Sequence, residues 1–154
     1  MGDDELARIA RHLLALSAER DSAGASSPIA ILHPADLAQL AQKIYLARRL
    51  REDLFGERLF SEPAWDIILH LYVQDYRGVK ETVTSVCRSS CVPEATALRQ
   101  VERLEDLGLL RRTSDSGDRR RRLVALTDEG RFKMTEFLQR TARSMLSLLP
   151  MAAI

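Results

Sequence analysis

The chain has 154 residues, of which 45% are hydrophobic and 29% are charged, and its formal net charge is +1. This length and composition predict one globular unit with a sizeable core, and they exclude a disordered chain and a uniform polycation. No apolar run reaches the roughly 18 residues of a membrane span, no secretion signal is recognisable, and two cysteines cannot build a disulfide framework, which together predict a cytoplasmic chain without a membrane partner.

A first amphipathic helix is predicted over about Asp3–Glu19, because apolar residues recur there three and four positions apart. Those residues are Leu6, Ile9, Leu13 and Leu16. Residues 21–28 are rich in Ser, Ala and Gly, which is a linker composition, and a short apolar run follows over 29–32.

A second, longer helix is predicted over about Ala35–Phe55, with Pro34 at its entry and Gly56 as its stop. Its apolar stripe is nearly continuous along the helix. The stripe consists of Leu37, Leu40, Ile44, Ala47, Leu50 or Arg51, and Leu54.

A third helix is predicted over Pro63–Tyr76, because Ser61 can cap its start and Pro63 suits a first helical turn. Gly78 marks its end. The apolar residues expected to share one side are Trp65, Ile68, Leu69 and Tyr72.

Two short helices follow, separated by a tight turn. The first is predicted over Val83–Ser90, capped by Thr82, and the second over Glu94–Leu107, with Pro93 at its entry and Gly108 just past its end. The residues of the first that should face inward are Val83, Val86 and Cys87.

A β-hairpin and a last helix complete the chain. Strands are predicted over Leu109–Thr113 and Arg122–Leu126, on either side of the turn-rich run 114–118. Thr127 is the expected N-cap of a helix from Asp128 to about residue 149. The predicted apolar stripe of that helix consists of Phe132, Met134 or Thr135, Leu138, Met145 and Leu149.

The pair of short helices has the dimensions of a helix-turn-helix motif, whose second helix enters a DNA groove. At 3.6 residues per turn, the inward face of 94–107 carries Ala97, Val101 and Leu104. The opposite face presents Ala95, Thr96, Arg99 and Arg103. Arginine can bind a guanine edge with two hydrogen bonds, and threonine can contact a base edge or a thymine methyl. The alternative is an ordinary surface helix, in which each arginine pairs with an acid three residues on, Arg99 with Glu102 and Arg103 with Asp106.

The hairpin concentrates positive charge. Residues 111–122 hold six arginines and two aspartates. A hairpin tip of this kind can contact phosphates or reach into a narrow minor groove. Because neighbouring strand residues point to opposite faces, the arginines at 119–122 cannot all contact one ligand, and we expect Asp118 to pair with one of them. The alternative is a solvated run of charge.

The part of the chain that holds the helix-turn-helix and the hairpin resembles the MarR family (multiple-antibiotic-resistance regulators). The resemblance lies in T-A-L-R-Q-V-E-R-L-E-D-L-G-L-L, residues 96–110, and in D-R-R-R-R-L-V-A-L-T-D-E-G, residues 118–130. The second piece is similar to the wing of that family, in which an Asp-Arg tip, a Leu-Thr exit and a glycine recur at this spacing. The match extends over about residues 82–131.

The resemblance implies a mainly α fold with a small β-hairpin wing, that is, a winged helix-turn-helix with N- and C-terminal dimerisation helices. It divides the chain into residues 1–60 for dimerisation, 61–127 for DNA binding and 128–154 for dimerisation. The implied partners are double-stranded DNA and a second copy of the chain, and the resemblance leaves a small-molecule effector open. The implied role is a homodimeric regulator, usually a repressor, on a pseudo-palindromic operator. The DNA contacts carried over by position are Ala95, Thr96, Arg99, Arg103, Asp118, Arg119 and Arg120.

Other chemistry is weakly indicated. Cys87 and Cys91 are four residues apart, and an inward Cys87 favours a packing role over a thiol sensor. The three histidines are dispersed, and no catalytic or cofactor-binding constellation is recognisable, so we expect no enzyme activity, metal or cofactor. A different class of function, a winged-helix module that binds proteins and not DNA, is also compatible with the long N-terminal helices.

Overall fold

The computed structural model describes residues 32–56 and 59–147. The predicted helix 3–19, the linker 21–28 and the end of the last helix at residues 148–149 lie outside them, as do residues 29–31. The described elements are α1 (Pro34–Phe55), α2 (Pro63–Tyr76), β1 (Glu81–Thr82), α3 (Val83–Ser89), α4 (Glu94–Asp106), β2 (Leu110–Ser114), β3 (Arg122–Leu126) and α5 (Asp128–Ser147). Of these helices, none is long and apolar enough to cross a lipid bilayer.

The three strands form one antiparallel sheet in the order β1-β3-β2. In the β2–β3 hairpin, Leu110 lies opposite Leu126 and Ser114 opposite Arg122. The hairpin confirms the predicted wing, although β2 begins one residue later than predicted. The two-residue strand β1 pairs with β3 through Glu81 and Val124. It was not predicted, because two residues are too short to show an alternating pattern.

The core is built around α2, whose Ile67 and Leu69 are fully buried. The helix-turn-helix, the sheet and both flanking helices each contribute apolar side chains to one cluster. These include Leu37 and Ala41 of α1, Val86 of α3, Ala97, Val101 and Leu104 of α4, Leu110, Val124 and Leu126 of the sheet, and Met134, Leu138 and Ala142 of α5. A fold of helices around a small winged sheet is therefore confirmed, and its packing fixes α4 and the hairpin relative to each other.

Most predicted helix boundaries are confirmed by their caps. The Thr82 hydroxyl accepts a hydrogen bond from the Ser85 amide at 3.1 Å, and Thr127 does the same for Gly130 at 3.0 Å. Gly108 has a φ of 71°, the left-handed conformation that suits a glycine after a helix. The prediction for Ser61 is wrong, because the cap position of α2 is Glu62 and no side chain bonds the first turn.

The predicted apolar stripe of α1 is only half right. Leu37, Ala38 and Ala41 are buried, but in the second half of the helix the buried residues are Arg48 and Glu52. The predicted stripe members Ala47, Leu50 and Leu54 face solvent. The reason lies across the helix interface, where α2 presents a buried acid that requires cationic partners.

That acid is Asp66, which is 1% exposed. Its two carboxylate oxygens accept hydrogen bonds from Arg48 Nε at 2.6 Å and Arg49 Nη2 at 2.5 Å. Arg49 also pairs with Glu52 at 2.9 Å, and Arg48 pairs with Glu62. Burial disfavours the charged guanidinium, yet the hydrogen bond and the charge of Asp66 raise the pKa of Arg48 above its usual value. The arginines of the cluster therefore stay charged, and their ion pairs join α1 to α2.

The stripe of α5 is confirmed in part, because the predicted Met134 and Leu138 are buried. Phe132 and Met145 are 64% and 52% exposed, while the buried face carries Met134, Leu138 and Ala142. These three residues lie four positions apart, so each is offset from the last by about 40° and all three fall on the side of the helix that packs on the core. The prediction chose the largest apolar residues, and these do not all lie on one face of the helix.

Candidate nucleic-acid interface

The helix-turn-helix consists of α3, a tight turn and α4. In the turn, Ser90 is 1% exposed and its hydroxyl donates to the Cys87 carbonyl at 2.6 Å. Cys91 has a φ of 53°, a left-handed conformation that costs a non-glycine residue about 1–2 kcal/mol. Just before the turn, the Ser89 carbonyl accepts a hydrogen bond from the Tyr45 hydroxyl at 2.7 Å. This bond connects α1 to the end of α3. Burial raises the pKa of Tyr45 to about 12, so it remains a hydrogen-bond donor.

The faces of α4 are oriented as predicted. Ala97 and Val101 are completely buried and Leu104 is nearly so. The residues predicted to contact DNA are all exposed: Ala95, Thr96, Arg99 and Arg103. In the described part of the chain, neither Arg99 nor Arg103 forms an ion pair or a side-chain hydrogen bond, so the pairs expected of an ordinary surface helix are not formed.

The outer surface of α4 is not uniformly basic. Glu102 and Asp106 are exposed beside Arg103, and Glu94 is exposed at the start of the helix. Exposed positive charge in this region is therefore concentrated in the wing. The two free arginines of α4 are suited to short-range hydrogen bonds, which discriminate between base edges.

A clasp between Glu105 of α4 and Arg112 of β2 holds the wing against the helix. The Glu105 carboxylate accepts hydrogen bonds from Arg112 Nε at 2.7 Å and from its backbone amide at 3.1 Å, and it pairs with Nη2 at 2.6 Å. The hydrogen bond from Arg112 lowers the pKa of Glu105 below its usual value. This clasp was missed, since no local periodicity links two residues in different elements.

The tip of the wing is shaped by two aspartates. The Asp118 carboxylate accepts a hydrogen bond from the Arg120 amide at 2.9 Å, and Asp115 accepts one from the Gly117 amide at 3.0 Å. The predicted ion pair of Asp118 is wrong, because its carboxylate folds back onto the backbone. It is Asp115 that contacts a guanidinium, that of Arg121, at 3.7 Å.

The arginines of the wing are divided between structure and solvent. Arg112 is held by Glu105, Arg121 faces Asp115, and Arg122 Nη1 donates to Ser114 Oγ at 3.3 Å. Arg119 and Arg120 are exposed, and their side chains have no ion pair or hydrogen bond within the described residues. The structure therefore places the two predicted tip arginines where a ligand can reach them.

An open groove of about 770 Å³ lies between α3, α4 and the wing. Arginines of three elements line it, together with hydroxyl groups from the start of α3. The lining includes Thr84, Ser85, Arg88, Leu98, Glu105, Arg112, Arg120, Arg121 and Arg122. Arg88 and Thr84 were not predicted as site residues. Their sequence context is a short helix without a charge pattern, and only the fold brings them beside the wing.

The cysteines are free, with Cys87 buried and Cys91 exposed. Burial is the main cause that raises the pKa of the Cys87 thiol, which favours the neutral packing role predicted for it. In the described ranges, no group of three His, Cys, Asp or Glu side chains is arranged to hold a metal ion.

No protein-family model and no curated protein matches the chain. Among solved structures, it is similar to a MarR family transcriptional regulator from Silicibacter pomeroyi, at 20% identity, with 75% of this chain and 74% of that one covered and a TM-score of 0.48. It is similar to a probable transcriptional regulator from Pseudomonas aeruginosa at 24% identity, covering 74% and 81%, with a TM-score of 0.45. S. aureus MepR in its DNA-binding conformation gives 17% identity, 72% and 80% coverage, and a TM-score of 0.46.

Proposed function

We propose that this chain is a sequence-specific DNA-binding transcription regulator of the MarR type. The observation that supports it best is that four exposed arginines form no ion pair within the described residues. Two of them, Arg99 and Arg103, lie on α4, and two, Arg119 and Arg120, lie at the wing tip. Acids lie near Arg99 and Arg103 on α4, yet neither guanidinium pairs with them.

In the proposed complex, α4 enters the major groove with its exposed face toward the bases. Arg99 binds a guanine edge, and Ala95 and Thr96 contact thymine methyl groups or base edges. The wing tip contacts phosphates or an adjacent minor groove through Arg119 and Arg120, while Asp118 fixes the shape of the tip. Arg88, across the groove from the wing, is added to these contacts as a phosphate ligand.

We further propose that the chain acts as a homodimer on a pseudo-palindromic operator, as a cytoplasmic repressor. Phe132 and Met145 are apolar and exposed on α5, the helix at which the resemblance places the partner chain. A dimer of winged helices reads two half-sites about one helical turn apart. A small-molecule effector would act by changing the distance between the two α4 helices.

Selection of duplexes from a random-sequence pool by the full chain tests the proposal. Enriched sequences should contain an inverted repeat with centres about 10 base pairs apart, and light scattering should give the mass of a dimer. If no sequence is enriched at physiological salt, the proposal is wrong and a winged-helix module that binds proteins becomes the better account.

A further inference from the structure

The second half of α1 is inverted relative to an ordinary amphipathic helix. Arg48 and Glu52 are buried, each at 7% exposure, whereas Leu46, Leu50 and Leu54 are 54%, 59% and 69% exposed. At 3.6 residues per turn, Leu50 points about 180° away from Arg48. The leucines therefore face directly away from the core, and we call Leu46, Ala47, Leu50 and Leu54 the leucine face.

The leucine face is confined to one half of the helix. On the same side of the first half, the residues are Asp36, Gln39 and Lys43, which are polar. A general apolar surface would not change character at mid-helix. The change indicates a specific occupant that covers about 12 Å of the helix, from Leu46 to Leu54 at 1.5 Å per residue.

We propose that the occupant is residues 3–19 of this chain, bound as an amphipathic helix. These residues lie outside the described part, and their apolar positions Leu6, Ile9, Leu13 and Leu16 follow a spacing of three, four and three. On α1, Ala47, Leu50 and Leu54 follow a spacing of three and four. Two helices with this alternation pack side chains of one between those of the other, and the apolar run from Leu6 to Leu16 would be about 15 Å long.

The connection allows this arrangement. The chain enters α1 at Leu32, whose backbone amide and carbonyl are held by the Gln139 side chain of α5 at 3.2 and 3.1 Å. The 15 residues between Leu16 and Leu32 span up to about 50 Å when extended. The leucine face begins about 20 Å along α1 from its first turn, so the segment reaches it within the same protomer or across a dimer.

A second copy of the leucine face is a weaker occupant. Three leucines and an alanine are a small part of the roughly 800 Å² that each partner contributes to a specific interface. A tethered helix needs less area, because a link of this length makes its binding intramolecular, with an effective concentration in the millimolar range. The inference does not depend on DNA binding.

Cross-linking and thiol labelling of the full chain test the proposal. In a Cys91→Ser background, the double variant Leu13→Cys with Leu50→Cys should form a disulfide on mild oxidation, detected by mass spectrometry of the linked peptides within one chain or between two. The matched control combines Leu13→Cys with Leu107→Cys, a position that is 60% exposed directly after α4 and should not link.

Labelling of Leu50→Cys by a maleimide should be at least ten times slower than labelling of Leu107→Cys. Adding Ile9→Asp and Leu13→Asp should restore the rate at position 50 and leave position 107 unchanged. The proposal is overturned if the two sites label equally fast in the unaltered segment, or if oxidation links only position 50 to position 50 of a second chain.

Discussion

The region α4–wing and the helix α1 are both charged and both amphipathic, yet they use their arginines in opposite ways. On α4 and at the wing tip, Arg99, Arg103 and Arg120 are exposed and unpaired. On α1, Arg48 and Arg49 turn inward onto Asp66. A guanidinium beside a buried carboxylate holds two helices together, whereas one without a partner is available to a ligand. Position in the fold, and not charge content, separates the two roles.

The largest effect is expected where α1 depends on its charges. Asp66→Ala should lower the free energy of unfolding by about 3–5 kcal/mol, because it leaves the buried Arg48 and the partly buried Arg49 without their shared partner. Urea denaturation measures this. Asp53→Ala, at an exposed position of α1, is the control and should change stability by less than about 0.5 kcal/mol. Equal effects would mean that the buried cluster does not hold α1 to α2.

A smaller effect is expected where the wing region depends on a glycine. A Cβ added at Gly130 would collide with the Leu109 carbonyl oxygen, which already accepts the Thr127 amide at 3.0 Å. Gly130→Ala should cost about 1–3 kcal/mol in thermal or urea unfolding. Gly117→Ala is the matched control, since the nearest atom to its Cβ is 3.8 Å away. An unchanged Gly130→Ala protein would contradict the close packing of α5 against the start of β2.

These two cases show how far the sequence could predict the fold. Glycines, prolines and cap residues act locally, so the helix ends at Thr82, Gly108 and Thr127 were predictable from their neighbours. The orientation of α4 was predictable too, because its apolar residues are the ones that are buried. In α1 the apolar pattern predicted the wrong buried face for the second half of the helix. Arg48 is buried there because it pairs with Asp66, which lies eighteen residues away on another helix.

The same limit applies to the candidate site. The exposure of Arg99, Arg103, Arg119 and Arg120 followed from periodicity and turn chemistry. The Glu105–Arg112 clasp and the place of Arg88 beside the wing did not, because they depend on how separate elements pack. Asp118 was predicted to pair with an arginine side chain. In the turn its carboxylate accepts a hydrogen bond from the nearby Arg120 backbone amide instead.

The clasp permits a sharper test of how the wing is held. Glu105→Gln should reduce stability by about 1 kcal/mol at neutral pH, in the range of a partly exposed ion pair. Because the folded pKa of Glu105 is lowered, its contribution is present above the usual glutamate pKa and is lost as pH falls through the folded value. The difference from the wild type should therefore shrink as pH falls below about 4.3, the usual glutamate pKa, and vanish only below the folded value. Glu102→Gln, exposed on the same helix, is the control and should change stability at neutral pH by less than about 0.5 kcal/mol.

The smallest effect concerns the turn of the helix-turn-helix. Cys91→Gly should stabilise the protein by about 0.5 kcal/mol, because glycine adopts a positive φ without the steric cost, although it loses more chain entropy on folding. Cys91→Ala keeps the Cβ and is the control that removes only the thiol. If Ala stabilises as much as Gly, relief of backbone strain is not the cause.

The binding of a selected duplex by Arg99→Ala and Arg120→Ala, followed by fluorescence anisotropy over a range of salt concentrations, tests the central claim most directly. Arg99→Ala should reduce the preference over an unrelated duplex by about 1–3 kcal/mol. Arg120→Ala should weaken binding to both duplexes and lower the salt slope by about 1. Arg77→Ala, an exposed arginine after α2, should change neither. The account is contradicted if both interface variants bind like the wild type, or if Arg77→Ala weakens binding as much as they do.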